Sequence, residues 1–488
     1  MSINNTKQAT WVAIGSLCSF GFTIVSSMIL SRYLDKADYG TYKQVMYVYN
    51  TLLVVFTLGL PKAFSYFLPR VELAQSKSLI SKINNLFFML GGIFSLLLFV
   101  LAPQISEFLN NQDLIKALRV FSIVPFIMLP TMGLTGILAT FRKTHFIAFY
   151  NILTNVFLLL CVALPVMIFD MGYIEALWGF VSASFVSFLL ALYLKYFPVR
   201  NQPKEKCPVS IKDIFRFSLP LLTASLWGII INSCDQFFVS RYFGNETFAE
   251  FSNGWMALPF VNMIVGATAT VLSPIFSRMS HEKVDPMKEI YPLWMSVFEK
   301  SAKLIYPLVI YCLVFADVVM IVMYGQQYAN SGSYFRIKLL TEFFAIIMFA
   351  PLIINIGEVK FYSRVHMISA FSVVLLEFFC IKILQSPYTI CWVSSLCQIG
   401  RIFVLLWFVA NFLGIRFYQL FPVKLIFQIL IPSFAMLMLE RWILIDLCQL
   451  NVLVILVISF VFYGVLFFVY SLVMKMDYIG IMKPLIRK

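Results

Sequence analysis

The sequence predicts an all-α integral membrane protein with about 14 transmembrane helices, arranged as two parallel six-helix repeats followed by two additional helices. Three observations lead to this fold class. The composition is too apolar for a soluble domain, long apolar segments recur along the whole chain, and one short motif follows two of these segments.

The composition excludes an ordinary soluble protein. Hydrophobic residues make up 61% of the 488 residues and charged residues 12%, whereas soluble domains contain about half and a quarter, respectively. A soluble core could not bury so much apolar surface, so lipid must solvate it. The net charge is +14, but the basic residues are scattered between apolar segments, which argues against a nucleic-acid partner.

The predicted spans follow from the length that a helix needs to cross lipid, which is about 20 mostly apolar residues. The first repeat contains six predicted spans, at residues 9–31, 45–66, 84–106, 116–140, 145–169 and 173–197. The second repeat also contains six, at residues 213–241, 250–276, 301–324, 333–357, 362–384 and 388–413. Two more spans follow, at residues 422–443 and 449–474.

The first apolar run is interpreted as a retained span. It is too long for the apolar region of a signal peptide, and no A-x-A cleavage site follows it. With the N-terminus inside, about 26 Lys and Arg residues fall in inside loops and about 10 in outside loops, with only Arg401 in mid-span. This asymmetry predicts that both termini lie on the inside.

The repeat is visible in a motif that occurs twice. "SRYLDKADYGTYK" begins at Ser31 and "SRYFGNETFAEFS" begins at Ser240, in each case after an apolar segment. An even number of spans separates them, so the two units are predicted to run parallel in the membrane. The predicted domains are therefore an N-terminal lobe at 1–200, a C-terminal lobe at 201–414, and two helices with a cytoplasmic tail at 415–488.

The first 80 residues or so carry a family resemblance. The segment Ala9–Arg70, with "SRYLDKADYGTY" and "LGLPKAFSYFLPR", resembles the start of Wzx-type O-antigen and capsule flippases. These belong to the multidrug/oligosaccharidyl-lipid/polysaccharide exporter superfamily. The resemblance implies a V-shaped, two-lobed MATE-like bundle in the bacterial cytoplasmic membrane. It also implies alternating-access transport of undecaprenyl-pyrophosphate-linked oligosaccharide from the inner to the outer leaflet, for lipopolysaccharide or other polysaccharide biosynthesis.

The resemblance also suggests where the pyrophosphate binds. In the related lipid II flippases, basic residues in the cavity are thought to hold this group. Lys62, at the inner end of the second span within "LGLPKAF", is therefore the first candidate. Arg32 and Arg241, in the two Ser-Arg-Tyr motifs, come next; alternatively, they are interfacial anchors.

Ionisable residues inside predicted spans are further candidates, because charges are costly in hydrocarbon. They are Asp235, Asp317, Glu342, Glu377 and Arg401. Glu342 and Arg401 are expected to form an ion pair between helices or to belong to a proton or sodium pathway.

Polar side chains at helical spacing could line the cavity. Asn232 and Asp235 share a helix face that could meet sugar hydroxyls or a coupling cation; alternatively, Asp235 reaches headgroup water. Asn151 and Asn155 are expected to face a cavity of the first lobe.

No catalytic residue, metal site or cofactor is expected. The nine cysteines form no C-x-x-C pair, the three histidines stand apart, and no phosphate-binding G-x-x-x-x-G-K-[ST] loop occurs. Transport would then be driven by a proton or sodium gradient or by the membrane potential. The expected partners are the lipid-linked oligosaccharide, membrane lipids and other polysaccharide-assembly proteins. Three alternatives remain: a drug/cation antiporter of the same superfamily, a polysaccharide polymerase or ligase, and a scaffold within an assembly complex.

Overall fold

The computed structural model describes residues 2–347 and 349–478, and within them all regular secondary structure is helical. The last residues of the predicted cytoplasmic tail, 479–488, lie outside the described part. So do the side chains of residues 2–14, 223, 224, 267, 270, 271 and 274. The all-α prediction is confirmed.

The chain divides into two compact units, Met1–Ala249 and Glu250–Lys488. The boundary lies inside a long helix that begins at Ile211, so the first unit extends beyond the predicted lobe boundary at residue 200. The division into repeat lobes at 1–200 and 201–414, followed by a separate two-helix tail, stays a prediction.

The first unit begins with a 32-residue helix and ends within a 44-residue segment that Gly244 interrupts, with a φ of 80° and a ψ of 174°. Its helices are α1 (Ser2–Tyr33), α2 (Lys36–Phe56), α3 (Pro61–Phe67), α4 (Leu73–Val100), α5 (Ala102–Leu109), α6 (Leu114–Phe121), α7 (Val124–Met128), α8 (Leu134–Thr140), α9 (His145–Leu158), α10 (Leu164–Phe169), α11 (Tyr173–Tyr196) and α12 (Ile211–Gly254). Short 3₁₀ turns lie at Leu68–Arg70, Leu129–Thr131 and Phe197–Val199, and a π-helical turn joins α9 to α10 at Leu159–Ala163.

The second unit contains the remaining nine α-helices of the described residues. They are α13 (Pro259–His281), α14 (Tyr291–Val314), α15 (Ala316–Tyr324), α16 (Ser331–Ala345), α17 (Phe349–Asn355), α18 (Val359–Leu384), α19 (Pro387–Leu413), α20 (Val423–Arg441) and α21 (Val452–Val473). Two π-helical turns lie at Pro286–Ile290 and Trp442–Leu447, and two 3₁₀ turns at Gln326–Tyr328 and Phe417–Leu420.

The helices make this a multi-pass membrane protein. Nine stretches of the described residues are long and apolar enough to cross a membrane, and up to twelve if each of three bent pairs is one span. These twelve correspond to predicted spans two to seven and nine to fourteen. The helices α1 and α13, which correspond to predicted spans one and eight, are not among them, so the count of 14 is not confirmed.

The second predicted span is broken near its C-terminal end. Leu58 and Gly59 have backbone φ angles of 48° and 70°, which end α2 before Pro61 starts α3. Glycine adopts this left-handed conformation readily, whereas for a branched residue such as leucine it is unusual. A Cβ atom on Gly59 would lie 2.7 Å from the Ser218 carbonyl oxygen of α12, so glycine also permits this close approach.

One lysine near the end of the sixth predicted span is buried in the first unit. Lys195 is fully buried, and its amine donates hydrogen bonds to Asn84 Oδ1 (3.1 Å) and to the Pro130 carbonyl oxygen (2.5 Å). The amine also lies 5.1 Å from the ring centroid of Phe64 and 5.4 Å from that of Phe87. Lys195 therefore ties α11 to α3 and α4, because the final turn of α11 faces the interior rather than the loop.

Candidate functional site

The two Ser-Arg-Tyr motifs differ in their surroundings. The first ends α1, and its Arg32 is exposed. The second lies within α12, where Arg241 is half-buried and donates a hydrogen bond to the Phe108 carbonyl at the end of α5. The guanidinium carbon of Arg241 is 5.3 Å from the centroid of the Phe108 ring. In the structure, Arg241 thus holds α12 against α5.

Within the first unit, the start of α2 packs directly on the second motif. Gln44 Nε2 donates to Ser240 Oγ at 2.8 Å, and Asn245 Nδ2 donates to Thr41 Oγ1 at 3.3 Å. A Cβ atom on Gly40 would collide with the Asn245 carbonyl oxygen. The repeated motif therefore contributes to helix packing, and Gly40 permits the close approach of the two backbones.

The first unit contains a cavity of about 340 Å³ bordered by α1, α2, α9 and α11. Its lining combines hydroxyl and amide groups with aromatic rings and one lysine. The polar lining residues are Thr23, Ser26, Ser27, Lys43, Asn50 and Asn155, and the aromatic ones are Phe22, Tyr42, Tyr49 and Phe180. None of the described lining residues is acidic. We refer to this space as the N-unit cavity.

A second cavity, of about 320 Å³, adjoins the N-unit cavity, because Asn155, Leu158 and Phe180 line both. Its other polar lining residues are Thr131, Thr135, Tyr150, Thr154, Ser184 and Ser187. Asn155 Nδ2 donates to Ser19 Oγ at 3.1 Å and to the Asn151 carbonyl at 2.7 Å. Asn155 therefore lies where the two spaces meet, whereas Asn151 lines neither of them.

Sequence reasoning missed Lys43 and Asn50. Lys43 Nζ lies 3.3 Å from Ser27 Oγ and 5.1 Å from the Tyr39 ring centroid. The predicted second span begins at residue 45, but α2 begins at Lys36, so Lys43 is already two turns into the helix. The sequence signal was the helical spacing from Lys43 to Asn50, which places both on one face of α2.

Lys62 lies apart from both cavities. It is exposed on α3, immediately after the break at Leu58 and Gly59, and it lines neither cavity. It makes no ion pair with any carboxylate in the described part of the chain. Its ammonium group is therefore available to an anion at this end of the first unit.

Asn232 and Asp235 do not form one exposed face. Asn232 is exposed, whereas Asp235 is 1% exposed, and its Oδ1 accepts a hydrogen bond from the Gln236 backbone N–H at 2.8 Å. The neighbouring Ser233 carbonyl accepts a hydrogen bond from the Tyr47 hydroxyl of α2 at 3.1 Å. Asp235 is thus buried within the first unit and does not reach headgroup water.

The expected ion pair between Glu342 and Arg401 does not form. Glu342 is 3% exposed, lies near the Leu258 backbone N–H, and has one carboxylate oxygen without a hydrogen-bond partner. Arg401 lines a different space, between α18 and α19. Although both residues are near mid-span, their side chains leave α16 and α19 towards different neighbours.

A different ionic network lies in the second unit. Asp317 of α15 accepts two hydrogen bonds from Arg441 of α20, at 2.8 and 2.6 Å, and one from Arg336 of α16, at 2.9 Å. Arg441 also donates to the Val314 carbonyl at 2.9 Å. This network joins the first of the two final helices to the rest of the second unit. It explains the intramembrane Asp317 as a structural residue.

Metal coordination receives no support. Throughout residues 2–347 and 349–478, no group of three or more His, Cys, Asp or Glu side chains is placed to hold a metal ion.

The chain is similar in sequence to known proteins. A family model described as "Polysaccharide biosynthesis protein" matches residues 29–333. The succinoglycan biosynthesis transport protein ExoT of Rhizobium meliloti (strain 1021) is 22% identical over 332 residues, which cover 66% of this chain and 63% of ExoT. The chain thus spans somewhat less than two thirds of the length of this relative.

Two solved structures share the fold. The lipid II flippase MurJ, in an inward closed conformation, matches with a TM-score of 0.70 and 16% identity over 96% of this chain and 99% of MurJ. An inward-facing multidrug resistance transporter of the MATE family, within the MOP superfamily, matches with a TM-score of 0.65 and 12% identity. That match covers 80% of this chain and 94% of the transporter. The predicted MATE-like fold is confirmed.

Proposed function

Because the family match covers more than half of the chain, the chain belongs to the polysaccharide biosynthesis protein family, and we propose that this membrane transporter is a flippase for undecaprenyl-pyrophosphate-linked oligosaccharide. It moves this lipid from the inner to the outer leaflet of the bacterial cytoplasmic membrane, by alternating access of its two lobes. Both termini lie on the cytoplasmic side. The chain takes no cofactor and acts beside other polysaccharide-assembly proteins.

The observation that carries the proposal is the lining of the N-unit cavity. Hydroxyl groups of Ser26 and Ser27 and amide groups of Asn50 and Asn155 can exchange hydrogen bonds with sugar hydroxyls. Tyr42 and Phe180 supply flat apolar surfaces of the kind on which sugar rings stack. A cavity for a hydrophobic cation would instead be expected to carry carboxylates, whereas no acidic residue occurs among the described residues that line the N-unit cavity.

The pyrophosphate needs cationic groups that it can reach. Lys62 and Arg32 are exposed, which supports them as pyrophosphate ligands. Arg241 would join them only after releasing the Phe108 carbonyl, so we assign it to a later stage of the transport cycle. Asn151, Asn232 and Asp235 are proposed to meet the glycan or a coupling cation in conformations in which α12 moves relative to α2.

A proton or sodium gradient or the membrane potential is proposed to drive the cycle. One elementary charge moved across 100 mV is worth about 2.3 kcal/mol. Glu342 is the candidate for proton coupling, because its carboxyl group is buried and one of its oxygens has no hydrogen-bond partner.

The test is transport by purified full-length protein in liposomes that contain a fluorescently labelled lipid-linked oligosaccharide. We expect Lys62→Ala to lower the flipping rate at least tenfold, because an unneutralised pyrophosphate is costly to desolvate. The matched control is Lys204→Ala, an exposed lysine of the loop before α12, which should flip at the wild-type rate. Flipping by Lys62→Ala at the wild-type rate would remove Lys62 from the site. Export of cationic dyes without any flipping would favour an antiporter.

A further inference from the structure

Arg401 is a cation in the middle of a predicted span, and no other residue of the described part of the chain pairs with it. It is the fifteenth of the 27 residues of α19. Its guanidinium group forms no ion pair or hydrogen bond with any side chain or backbone group in the described part of the chain. An unpaired charge at this depth is costly, and natural proteins keep such charges where they act on a substrate or ion.

The pocket beside Arg401 holds a second polar group without a partner. Ser369 of α18 is 8% exposed, its hydroxyl oxygen has no hydrogen-bond partner, and it lines the same pocket of about 300 Å³. Ser372 is the next hydroxyl along the wall, and the remaining lining is Val365, Ile368, Cys397, Gly400 and Val404. The pocket therefore offers a guanidinium group and two hydroxyl groups on an otherwise apolar wall.

The ionisable neighbours do not neutralise Arg401. The nearest ones on α18 are Tyr362 and His366, neither of which is an anion at neutral pH. Glu342 lies near Leu258 instead. Glu377 of α18 is buried near Cys397, another residue of the pocket, but it forms no ion pair with Arg401. An anion from outside the chain would neutralise Arg401.

We propose that the pocket between α18 and α19 binds the phosphate of the polyprenyl-linked substrate in transit, with Arg401 and Ser369 as its ligands and the apolar wall against the first isoprenoid units. This inference rests on the proposed flippase function. Arginine pairs with phosphate through two parallel hydrogen bonds, and a serine hydroxyl donates a third.

The depth of Arg401 along α19 indicates whether the bound phosphate belongs to a transported lipid or to a resident phospholipid. At 1.5 Å per residue, Arg401 lies about 20 Å along the helix from either end of α19. The phosphate of a resident phospholipid stays at headgroup level, about 15 Å from the middle of the hydrocarbon core. A phosphate that reaches Arg401 has therefore left the headgroup plane, which is what a flipped lipid does.

The experiment measures equilibrium binding of radiolabelled undecaprenyl pyrophosphate to the full-length protein in phosphatidylcholine nanodiscs. We expect Arg401→Met to weaken binding about tenfold or more, Arg401→Lys about threefold, and Ser369→Ala about threefold. The control is Arg364→Met, an exposed arginine of α18, which should bind as the wild type does. Arg401→Met should not unfold at a lower temperature than the wild type, because it removes a charge that has no partner to leave behind.

Wild-type binding by Arg401→Met would overturn the inference. A lower unfolding temperature for both Arg401→Met and Arg401→Lys would also overturn the inference, since Arg401 would then be structural. Displacement of the radiolabelled probe by an equal amount of phosphatidylglycerol would overturn it as well. The flipping assay separates the two proposals. If the wild type flips and Arg401→Met binds and flips normally, only this inference fails; if the wild type does not flip, the proposed function fails.

Discussion

The network around Asp317 predicts how strongly α20, the first of the final two helices, is held to the rest of the second unit. Truncating Asp317 or Arg441 removes both hydrogen bonds between α15 and α20, and Asp317→Ala also removes the hydrogen bond from Arg336. The side chains of Asp317 and Arg441 are 29% and 26% exposed, so the pair lies between the surface and buried cases. Surface ion pairs contribute about 0–1 kcal/mol, and breaking buried ones costs about 3–5 kcal/mol. We therefore expect a loss of about 2 kcal/mol for Asp317→Ala or Arg441→Ala.

The assay is thermal unfolding of the purified protein in detergent, followed by the loss of the monomer peak. For a unit of about 240 residues, 2 kcal/mol corresponds to a Tm shift of about 4–8 °C. The double variant should unfold within about 2 °C of either single variant, because both substitutions remove the same interaction. Arg336→Ala loses one hydrogen bond to Asp317 and one to the Leu313 carbonyl, but the Arg336 side chain is 39% exposed, so this variant should shift Tm by less than half as much.

Two results would refute this interpretation. Tm shifts that add in the double variant would show that Asp317 and Arg441 act independently. Unchanged Tm values in both single variants would show that solvent screening cancels the network, and that apolar packing alone holds α20.

Two further predictions concern the first unit. Gly40→Ala should lower Tm by several degrees, because the added Cβ would collide with the Asn245 carbonyl. Gly21→Ala is the control and should leave Tm unchanged, because the space around Gly21 is open. If both variants unfolded at the same Tm, α2 and α12 would separate freely. Lys195→Ala should lower the free energy of unfolding by about 3 kcal/mol, or Tm by roughly 6–12 °C, because two buried hydrogen-bond acceptors lose their donor and a cavity remains. The control is Lys204→Ala, at an exposed position, which should leave Tm unchanged. A wild-type Tm for Lys195→Ala would mean that water fills the space at no cost.

Composition and apolar length predicted the fold class and most helices, because lipid imposes both on any spanning helix. They did not predict the breaks. The interruption at Leu58 and Gly59 lies within one continuous apolar segment, where hydropathy carries no information about backbone φ. The count of 14 spans stays unconfirmed because α1 and α13 are not among the candidate spans of the described residues, and three of the remaining twelve are bent pairs rather than straight helices.

Side-chain partners were the least predictable part of the candidate site. Glu342 and Arg401 looked like a pair because both lie near mid-span, but pairing depends on which faces of α16 and α19 meet. Asp317 found its partner 124 residues away in Arg441, a separation that no local pattern reports. Asn155 lines a cavity of the first unit, whereas Asn151, one helical turn away, lines neither described cavity. Helical spacing alone therefore does not tell which of two neighbouring polar residues reaches a cavity.

The most direct test of the flippase function is the pool of lipid-linked sugar in cells depleted of this protein. Undecaprenyl-pyrophosphate-linked oligosaccharide would be extracted, identified by its sugar composition and compared with that of undepleted cells. The flippase function predicts accumulation on the cytoplasmic side together with loss of surface polysaccharide. An unchanged pool, accompanied by new sensitivity to cationic dyes, would contradict it and indicate a drug/cation antiporter.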